Sequence, residues 1–182
     1  MELKTRIKRN ANLVLLLLAL STQATAKEDL LKELNNLTPI QKAIMLKTFN
    51  KARQFNYEYT MTAIAWQESK FGKYKINLND PSFGVFHNLI STVQLRHDSR
   101  GSWARSRLAE RLMIDYDFSF TEALSELKYW ENYWSNKRVP KKWSHTIGSY
   151  NGGFTPNMSY TEKIKSKIRA LKTYFKNKGI TW

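Results

Sequence analysis

Apolar residues recur at helical spacing over most of the chain, and no stretch shows the regular apolar–polar alternation of a half-buried strand. The two clearest helical stripes are Phe120, Leu124, Leu127, Trp130 and Trp134, and then Tyr160, Ile164, Ile168, Leu171 and Phe175. The segment Thr38-Pro39-Ile40-Gln41 indicates a helix start, with Thr as the N-cap and Pro at the first helical position. This pattern predicts one mainly α-helical domain.

Helix boundaries are indicated at several further places along the chain. They are residues 60–71 before Gly72, residues 102–115, and two capping-box sequences, Ser119-Phe120-Thr121-Glu122 and Ser159-Tyr160-Thr161-Glu162. Residues 77–84 are different, because they are rich in Asn, Asp, Pro, Ser and Gly, which is typical of turns. We therefore expect at most a small β element near residues 77–84.

The N-terminal residues have a composition of their own. A basic head precedes the mostly apolar residues 11–20, and Ala24-Thr25-Ala26 has the small-residue pattern of a cleavage site. The apolar stretch is about half of the roughly 20 residues that a membrane-spanning helix needs. We predict a signal peptide over residues 1–26 and a periplasmic or secreted domain over residues 27–182, with no membrane span after cleavage. An uncleaved N-terminal anchor is the alternative, and it also places the domain outside the cytoplasm.

The charge of the chain favours an anionic partner. The whole chain has 30 Lys and Arg residues, 15 Asp and Glu residues and a formal charge of +15. Residues 1–26 hold four basic residues and one acidic residue, so 26 basic and 14 acidic residues leave a charge of +12 without them. Such a charge suits cell-wall polymers, a membrane surface or nucleic acid. The basic residues are scattered and form no nucleic-acid-binding motif, so we expect no nucleic acid partner.

The sequence contains no thiol and no spacing of residues that is typical of a metal site. The chain has no Cys, which excludes disulfides, thiolate metal sites and thiol catalysis. Its three His residues are far apart in sequence and lack metal-ligand spacing. We therefore predict no metal and no other cofactor.

Glu68 is the most informative single residue. In a helix over residues 60–71 it follows Ile64 by four positions and Ala65 by three, which places it on an apolar stripe near the C-terminal end. Apolar neighbours and the negative end of the helix dipole both favour the protonated acid over the anion. A protonated carboxylic acid is what a glycosidase uses to protonate a leaving oxygen. The alternative is a Glu that turns to solvent or pairs with Lys70 or Lys73.

Four segments resemble motifs of the soluble lytic transglycosylase family, in the lysozyme-like superfamily. Glu68-Ser69-Lys70-Phe71 resembles the family's Glu-Ser-x-Phe motif, and Asp80 to His87 resembles its second motif, which ends in Gly-Leu-Met-Gln. Ser149-Tyr150-Asn151-Gly152-Gly153 resembles the third motif, Ala-Tyr-Asn-x-Gly, and Tyr160 to Ile164 resembles the Tyr-led helix that follows. The segments occur in family order and span roughly residues 60–170.

The resemblance implies a lysozyme-like fold and a role for Glu68. The family's Glu acts first as general acid on the bond between N-acetylmuramic acid and N-acetylglucosamine in peptidoglycan glycan strands, and then as base. The C6 hydroxyl of the muramic residue displaces at C1 and leaves a 1,6-anhydro end, so no second acid is needed to activate water. The leading prediction is a peptidoglycan lytic transglycosylase.

The resemblance also implies roles for other residues. Tyr150 is expected as a hydrogen-bond partner near the catalytic carboxyl, and Asn151 is expected to contact or orient the substrate. From the second motif, Asp80, Ser82 and His87 are candidate substrate-binding residues. His87 stands where the family has Gln; a His also donates and accepts hydrogen bonds, but the change is equally compatible with altered specificity or weakened activity.

Two other functions stay open at the level of sequence. A hydrolysing muramidase on the same fold needs a second carboxylate, for which Asp80 is the candidate, although an Asp before Pro is commonly a turn residue. A non-catalytic basic protein that binds the wall or a membrane is the other alternative. The cleavage itself is compatible with a secretion apparatus, wall turnover, phage entry or phage-driven lysis.

Overall fold

The computed structural model describes residues 25–180, which form eight α-helices and three short β-strands. The predicted signal peptide lies almost entirely outside these residues. The elements are α1 (residues 25–35), α2 (Pro39–Arg53), α3 (Glu58–Ser69), β1 (Ile76–Asn77), β2 (Ser82–Phe83), β3 (Asn88–Leu89), α4 (Ile90–Arg96), α5 (Ser102–Ile114), α6 (Tyr116–Asn136), α7 (Lys142–Gly152) and α8 (Met158–Asn177). The prediction of a mainly α-helical fold with a small β element is confirmed.

The start of α2 forms as its sequence predicts. The Thr38 side chain accepts a hydrogen bond from the Gln41 amide at 3.3 Å, and the Gln41 side chain accepts one from the Thr38 amide at 3.0 Å. Gln41 also donates from Nε2 to the carbonyl oxygen of Lys70 at 2.9 Å, which ties the start of α2 to the end of α3. Ile40 precedes Ile44 and Phe49 at near-helical spacing in the sequence, which predicts a buried position, but it is 73% exposed.

The sequence predicted the starts of two helices at Ser119 and Ser159; both helices exist, but they begin at earlier residues. Asp115 caps α6 by accepting from the Phe118 amide, and Asn157 caps α8 by accepting from the Tyr160 amide. Both caps precede the predicted ones, because an Asp or Asn upstream already satisfies the free amides of the first turn. Ser119 is fully buried inside α6.

Helix α3 lies in the centre of the fold. Each of its residues from Thr60 to Trp66 is buried, and the helix packs between α2 and α8. A helix buried on all sides is a core helix rather than an amphipathic surface helix. The surrounding core is strongly aromatic, and its fully buried rings are Phe49, Trp66, Phe71, Phe86, Phe120 and Phe175. Central α3 thus holds its C-terminal end, with Glu68, in a fixed place.

The β element is a three-stranded antiparallel sheet that follows α3. Its register pairs Asn77 with Ser82 and Phe83 with Asn88, so it extends past the predicted residues 77–84. Gly84 follows β2 with φ at 85°, and a β-carbon there would lie 2.4 Å from the Leu112 carbonyl oxygen. Only Gly therefore lets the sheet approach α5 this closely.

None of the helices in the described part of the chain is both long enough and apolar enough to span a membrane.

Candidate active site

An open, largely polar cleft lies between the end of α3, the sheet and helices α4, α6 and α7. All six residues that the sequence nominated line it, although they come from three separate segments of the chain. They are Glu68, Asp80, Ser82, His87, Tyr150 and Asn151. A cleft with several polar side chains directed into it suits a carbohydrate, which is rich in hydroxyl groups.

Glu68 lies at the end of α3 with its side chain 15% exposed. Its Oε1 accepts a hydrogen bond from the Tyr160 hydroxyl at 2.5 Å, and its Oε2 lies 3.3 Å from Nδ1 of His87. Among residues 25–180, no Lys or Arg nitrogen forms an ion pair with it. Lys70, the partner that the alternative interpretation offered, pairs with Glu33 at 3.5 Å.

The serine of the Glu-Ser-x-Phe motif explains how this helix end is held. Ser69 is fully buried, and its hydroxyl donates to the Val85 carbonyl at 2.6 Å while accepting from the Gly72 amide at 2.7 Å. One side chain thus joins the end of α3, the turn after it and the loop after β2. The hydrogen bonds fix Glu68 relative to the segment that carries His87.

His87 contacts the candidate acid directly. Its Nε2 is 2.7 Å from the carbonyl oxygen of Tyr74, and its side chain is 11% exposed. Burial alone would lower the pKa of His87, but the hydrogen bonds to Glu68 and to the Tyr74 carbonyl outweigh it, and the pKa is raised. His87 has φ at 46°, a left-handed conformation that His adopts more readily than bulkier residues.

The hydroxyl that binds Glu68 belongs to Tyr160, not to Tyr150 as expected. Tyr150 lies in the same cleft but donates to the Phe86 carbonyl at 2.8 Å, one residue before His87. Burial and the nearby charge of Glu68 raise the pKa of both phenols well above its ordinary value, so both stay neutral. The sequence placed Tyr160 on an apolar stripe and at the start of the segment Tyr160 to Ile164. Neither pattern indicates which group its hydroxyl contacts.

The other nominated residues lie on the rim and floor of the cleft. Asn151 is exposed, and its Oδ1 accepts from the Asn157 side chain at 2.8 Å. Ser82 is buried in β2. Asp80 is exposed in the turn between β1 and β2, where the Asn79 amide is bound by the side chain of Asn77. The turn hydrogen bond expected of Asp80 is thus made by Asn77.

Two further residues that line the cleft, Arg96 and Glu126, belong to an ionic network that the sequence did not reveal. Arg96 donates from Nη1 to Oε2 of Glu122 at 3.0 Å and from Nη2 to Oε2 of Glu126 at 2.7 Å. Oε1 of Glu122 is 2.7 Å from Nε2 of His97, and Oε1 of Glu126 accepts from the Trp130 indole at 2.6 Å. Glu122 was predicted to cap a helix and instead pairs with Arg96. The sequence feature that could have indicated this network is the pair of carboxylates four residues apart, Glu122 and Glu126, beside the apolar stripe of α6.

Among residues 25–180, no three His, Cys, Asp or Glu side chains gather in a way that would hold a metal ion.

The chain resembles a phage protein over most of its length. An uncharacterized 20.7 kDa protein in the vs-regB intergenic region of Enterobacteria phage T4 is 29% identical to it over 135 residues. The similarity covers 72% of this chain and 69% of the phage protein. No protein-family profile matches the chain, and no solved structure matches it.

Proposed function

We propose that this protein is a peptidoglycan lytic transglycosylase in which Glu68 is the acid and base. The observation that carries the proposal is the environment of Glu68. This carboxyl is largely buried, hydrogen-bonded by a neutral phenol and without a Lys or Arg ion pair in the described chain, yet it lines an open cleft. A carboxyl that reaches an open cleft and forms no ion pair with Lys or Arg there can exchange a proton with a bound substrate.

The reaction needs one such carboxyl. Glu68 donates its proton to the oxygen that links C1 of N-acetylmuramic acid to N-acetylglucosamine, and the C1–O bond breaks. The C6 hydroxyl of the muramic residue then attacks C1, and the Glu68 carboxylate accepts the hydroxyl proton. Glu68 regains its starting state, the new glycan end is a 1,6-anhydro sugar, and water is not consumed. Glu126, also in the cleft, is ion-paired with Arg96, and the proposed reaction assigns it no step.

The substrate class fits the rest of the molecule. The cleft is lined by amide, hydroxyl and carboxyl groups that can bind sugar hydroxyls, and the chain has a formal charge of +15. Peptidoglycan strands carry acidic groups, so a basic protein is attracted to them over several ångströms. Export by the signal peptide proposed for residues 1–26 would bring the protein to this substrate.

A hydrolysing muramidase is the second candidate, and the position of Asp80 favours it. Asp80 lies in the same cleft as Glu68, and within residues 25–180 no ion pair neutralises it. A carboxylate there can stabilise the glycosyl cation or activate water. The two reactions differ in their products, because hydrolysis leaves a reducing end and transglycosylation leaves an anhydro end.

The test is mass spectrometry of the muropeptides that the purified protein releases from peptidoglycan. We expect 1,6-anhydro ends from the native protein and a loss of about 10²–10⁴-fold in rate for Glu68→Gln, which keeps the shape of the side chain but cannot exchange the proton. Glu110→Gln, on the exposed face of α5, is the matched control and should keep the native rate. Melting curves of the three proteins check that they are folded.

Three outcomes would contradict the proposal in different ways. Reducing ends in place of anhydro ends would identify a muramidase. A Glu68→Gln variant with more than about a tenth of the native rate, against the expected range, would remove Glu68 from the acid role. Sedimentation of the protein with peptidoglycan without any released product would identify a binding protein.

A further inference from the structure

The hydrogen bond between His87 and Tyr74 fixes the proton on the imidazole. The partner of Nε2 is a backbone carbonyl, 2.7 Å away, and a carbonyl oxygen only accepts hydrogen bonds. Nε2 must therefore carry a hydrogen in every protonation state that keeps this bond. In the neutral imidazole, Nδ1 then has a lone pair and no hydrogen.

That lone pair faces Glu68. Nδ1 lies 3.3 Å from Oε2 of Glu68, and the other oxygen, Oε1, already accepts from Tyr160. If neither group holds a further proton, a lone pair faces a carboxylate, which is electrostatically unfavourable. One added proton relieves this arrangement, either on Oε2 of Glu68 or on Nδ1 of His87. The two placements contain the same number of protons and differ only by a transfer across the 3.3 Å contact.

The neighbouring phenols and the nearby arginine do not supply the proton of this pair. The Tyr160 and Tyr150 phenols, from α8 and α7, have their pKa raised well above its ordinary value and stay neutral. Across the cleft, the charge of Arg96 is shared between the carboxylates of α6. The charged or titratable groups of the described chain that face or share the cleft with Glu68 and His87 are Asp80, Arg96, Glu126, Tyr150 and Tyr160.

We propose that His87 is a positioning residue that holds one proton jointly with Glu68, and that loss of this shared proton sets the alkaline limit of the enzyme. The inference rests on the proposed function, because it concerns the proton that Glu68 delivers to the sugar. After delivery, the bare Glu68 carboxylate again faces the Nδ1 lone pair. This contact favours its reprotonation by the C6 hydroxyl in the second step.

A Gln at position 87 would act in the opposite direction. Its amide has no titrating proton, and it can turn an N–H group toward Oε2 of Glu68, which stabilises the carboxylate anion. The neutral imidazole cannot donate a hydrogen bond to Oε2 of Glu68, because its only N–H group binds the Tyr74 carbonyl. The departure from the family's Gln therefore predicts a different pH range.

The first test compares the pH dependence of muropeptide release by the purified native protein and by His87→Gln. We expect the alkaline limb to move to lower pH by about one to two units, since a free imidazole and a free Glu side chain differ by about two pH units in where they titrate. His145→Gln, outside the cleft, is the control and should leave the limb in place. An equal loss of rate at all pH values would overturn the proposal.

The second test needs no activity and so separates this inference from the proposed function. In nitrogen NMR of imidazole-labelled protein, we expect neutral His87 to carry its hydrogen on Nε2. Its titration midpoint should lie above the ordinary value of about 6.5 and fall in Glu68→Gln, where burial is no longer offset by the carboxylate. A hydrogen on Nδ1, or equal midpoints in the two proteins, would overturn the shared proton even if glycan cleavage is found. If the protein is inactive but shows the expected titration midpoints for His87, only the proposed enzymatic function would be overturned.

Discussion

The described part of the chain contains two pairs of a glutamate and a histidine that differ in their cations, and one of them, Glu68 with His87, lines the cleft. Glu122 contacts both Arg96 and His97, whereas Glu68 contacts His87 and a neutral phenol. In the first pair the permanent positive charge of Arg96 compensates the charge of the Glu122 carboxylate, so Glu122 is poorly suited to donate a proton to a substrate. In the second pair the only possible cation that contacts Glu68 within residues 25–180 is His87, which must itself be protonated to be charged. The same two residue types thus form an ion network with Arg96 in one place and, in the function that we propose, a proton-exchanging site in the other.

Burial does not distinguish the two pairs in the expected direction. The Glu122 side chain is 6% exposed and that of Glu68 is 15% exposed, so the more buried carboxylate is the one that the arginine neutralises. A buried anion is stable when it has a cation and hydrogen bonds, and it is costly without them. The lack of a neighbouring arginine within residues 25–180, more than the depth of burial, supports the role of acid that we propose for Glu68.

The largest effect on stability is expected when the ion pair between Arg96 and Glu122 is broken. Arg96→Met leaves Glu122 buried with only His97 beside it, and we expect the free energy of unfolding to fall by about 3 kcal/mol, the lower end of the range for buried ion pairs because Arg96 is partly exposed. Chemical denaturation of the purified variant measures this. The double variant Arg96→Met/Glu122→Gln should recover part of the loss, because no unpaired anion remains.

The comparison would fail if the double variant were no more stable than Arg96→Met alone. Glu122 would then not depend on Arg96, and the two Glu–His pairs would have to be distinguished by some other property.

An intermediate effect is expected at the phenol that binds Glu68. Tyr160→Phe removes the hydrogen bond to Oε1, and we expect the rate of glycan cleavage to fall about tenfold, which corresponds to about 1.4 kcal/mol. Tyr150→Phe is the matched variant, since its hydroxyl binds the Phe86 carbonyl instead. It should cost about 1 kcal/mol in stability and less in rate.

Rates per folded molecule, with the folded fraction taken from melting curves, separate the two effects. A greater loss of rate in Tyr150→Phe than in Tyr160→Phe would return Tyr150 to the role that the family motif implies.

The smallest effect is expected at Asp80. If the muramic hydroxyl is the nucleophile, Asp80→Asn should keep most of the rate and still give anhydro ends, and its exposed position predicts a change in stability within about 0.5 kcal/mol. Muropeptide analysis of this variant provides the measurement. A fall by orders of magnitude, together with reducing ends from the native protein, would assign Asp80 to a hydrolysing reaction.

Much of the helical architecture could be predicted from sequence, and the reason is local. The start at Thr38, the helix over Ser102–Ile114 and the buried stripe of α8 depend on residues within a few positions of one another. The misplaced starts at Ser119 and Ser159 show the limit of such patterns. A capping box is one of several acceptors that can serve a first turn, and the chain uses Asp115 and Asn157, which come earlier.

The sequence by itself determined that Glu68 lies near the C-terminal end of an apolar helix, because the run of residues before Gly72 favours a helix locally. The predicted apolar stripe was too narrow, since α3 is buried all round. Only the tertiary structure decided what that carboxyl contacts. Tyr160 is 92 positions away from Glu68 in sequence, and Arg96 pairs with the carboxylates of α6 rather than with Glu68. Hydrogen bonds and ion pairs depend on distances of about 3 Å in space. No spacing along the chain encodes those distances until the helices have packed.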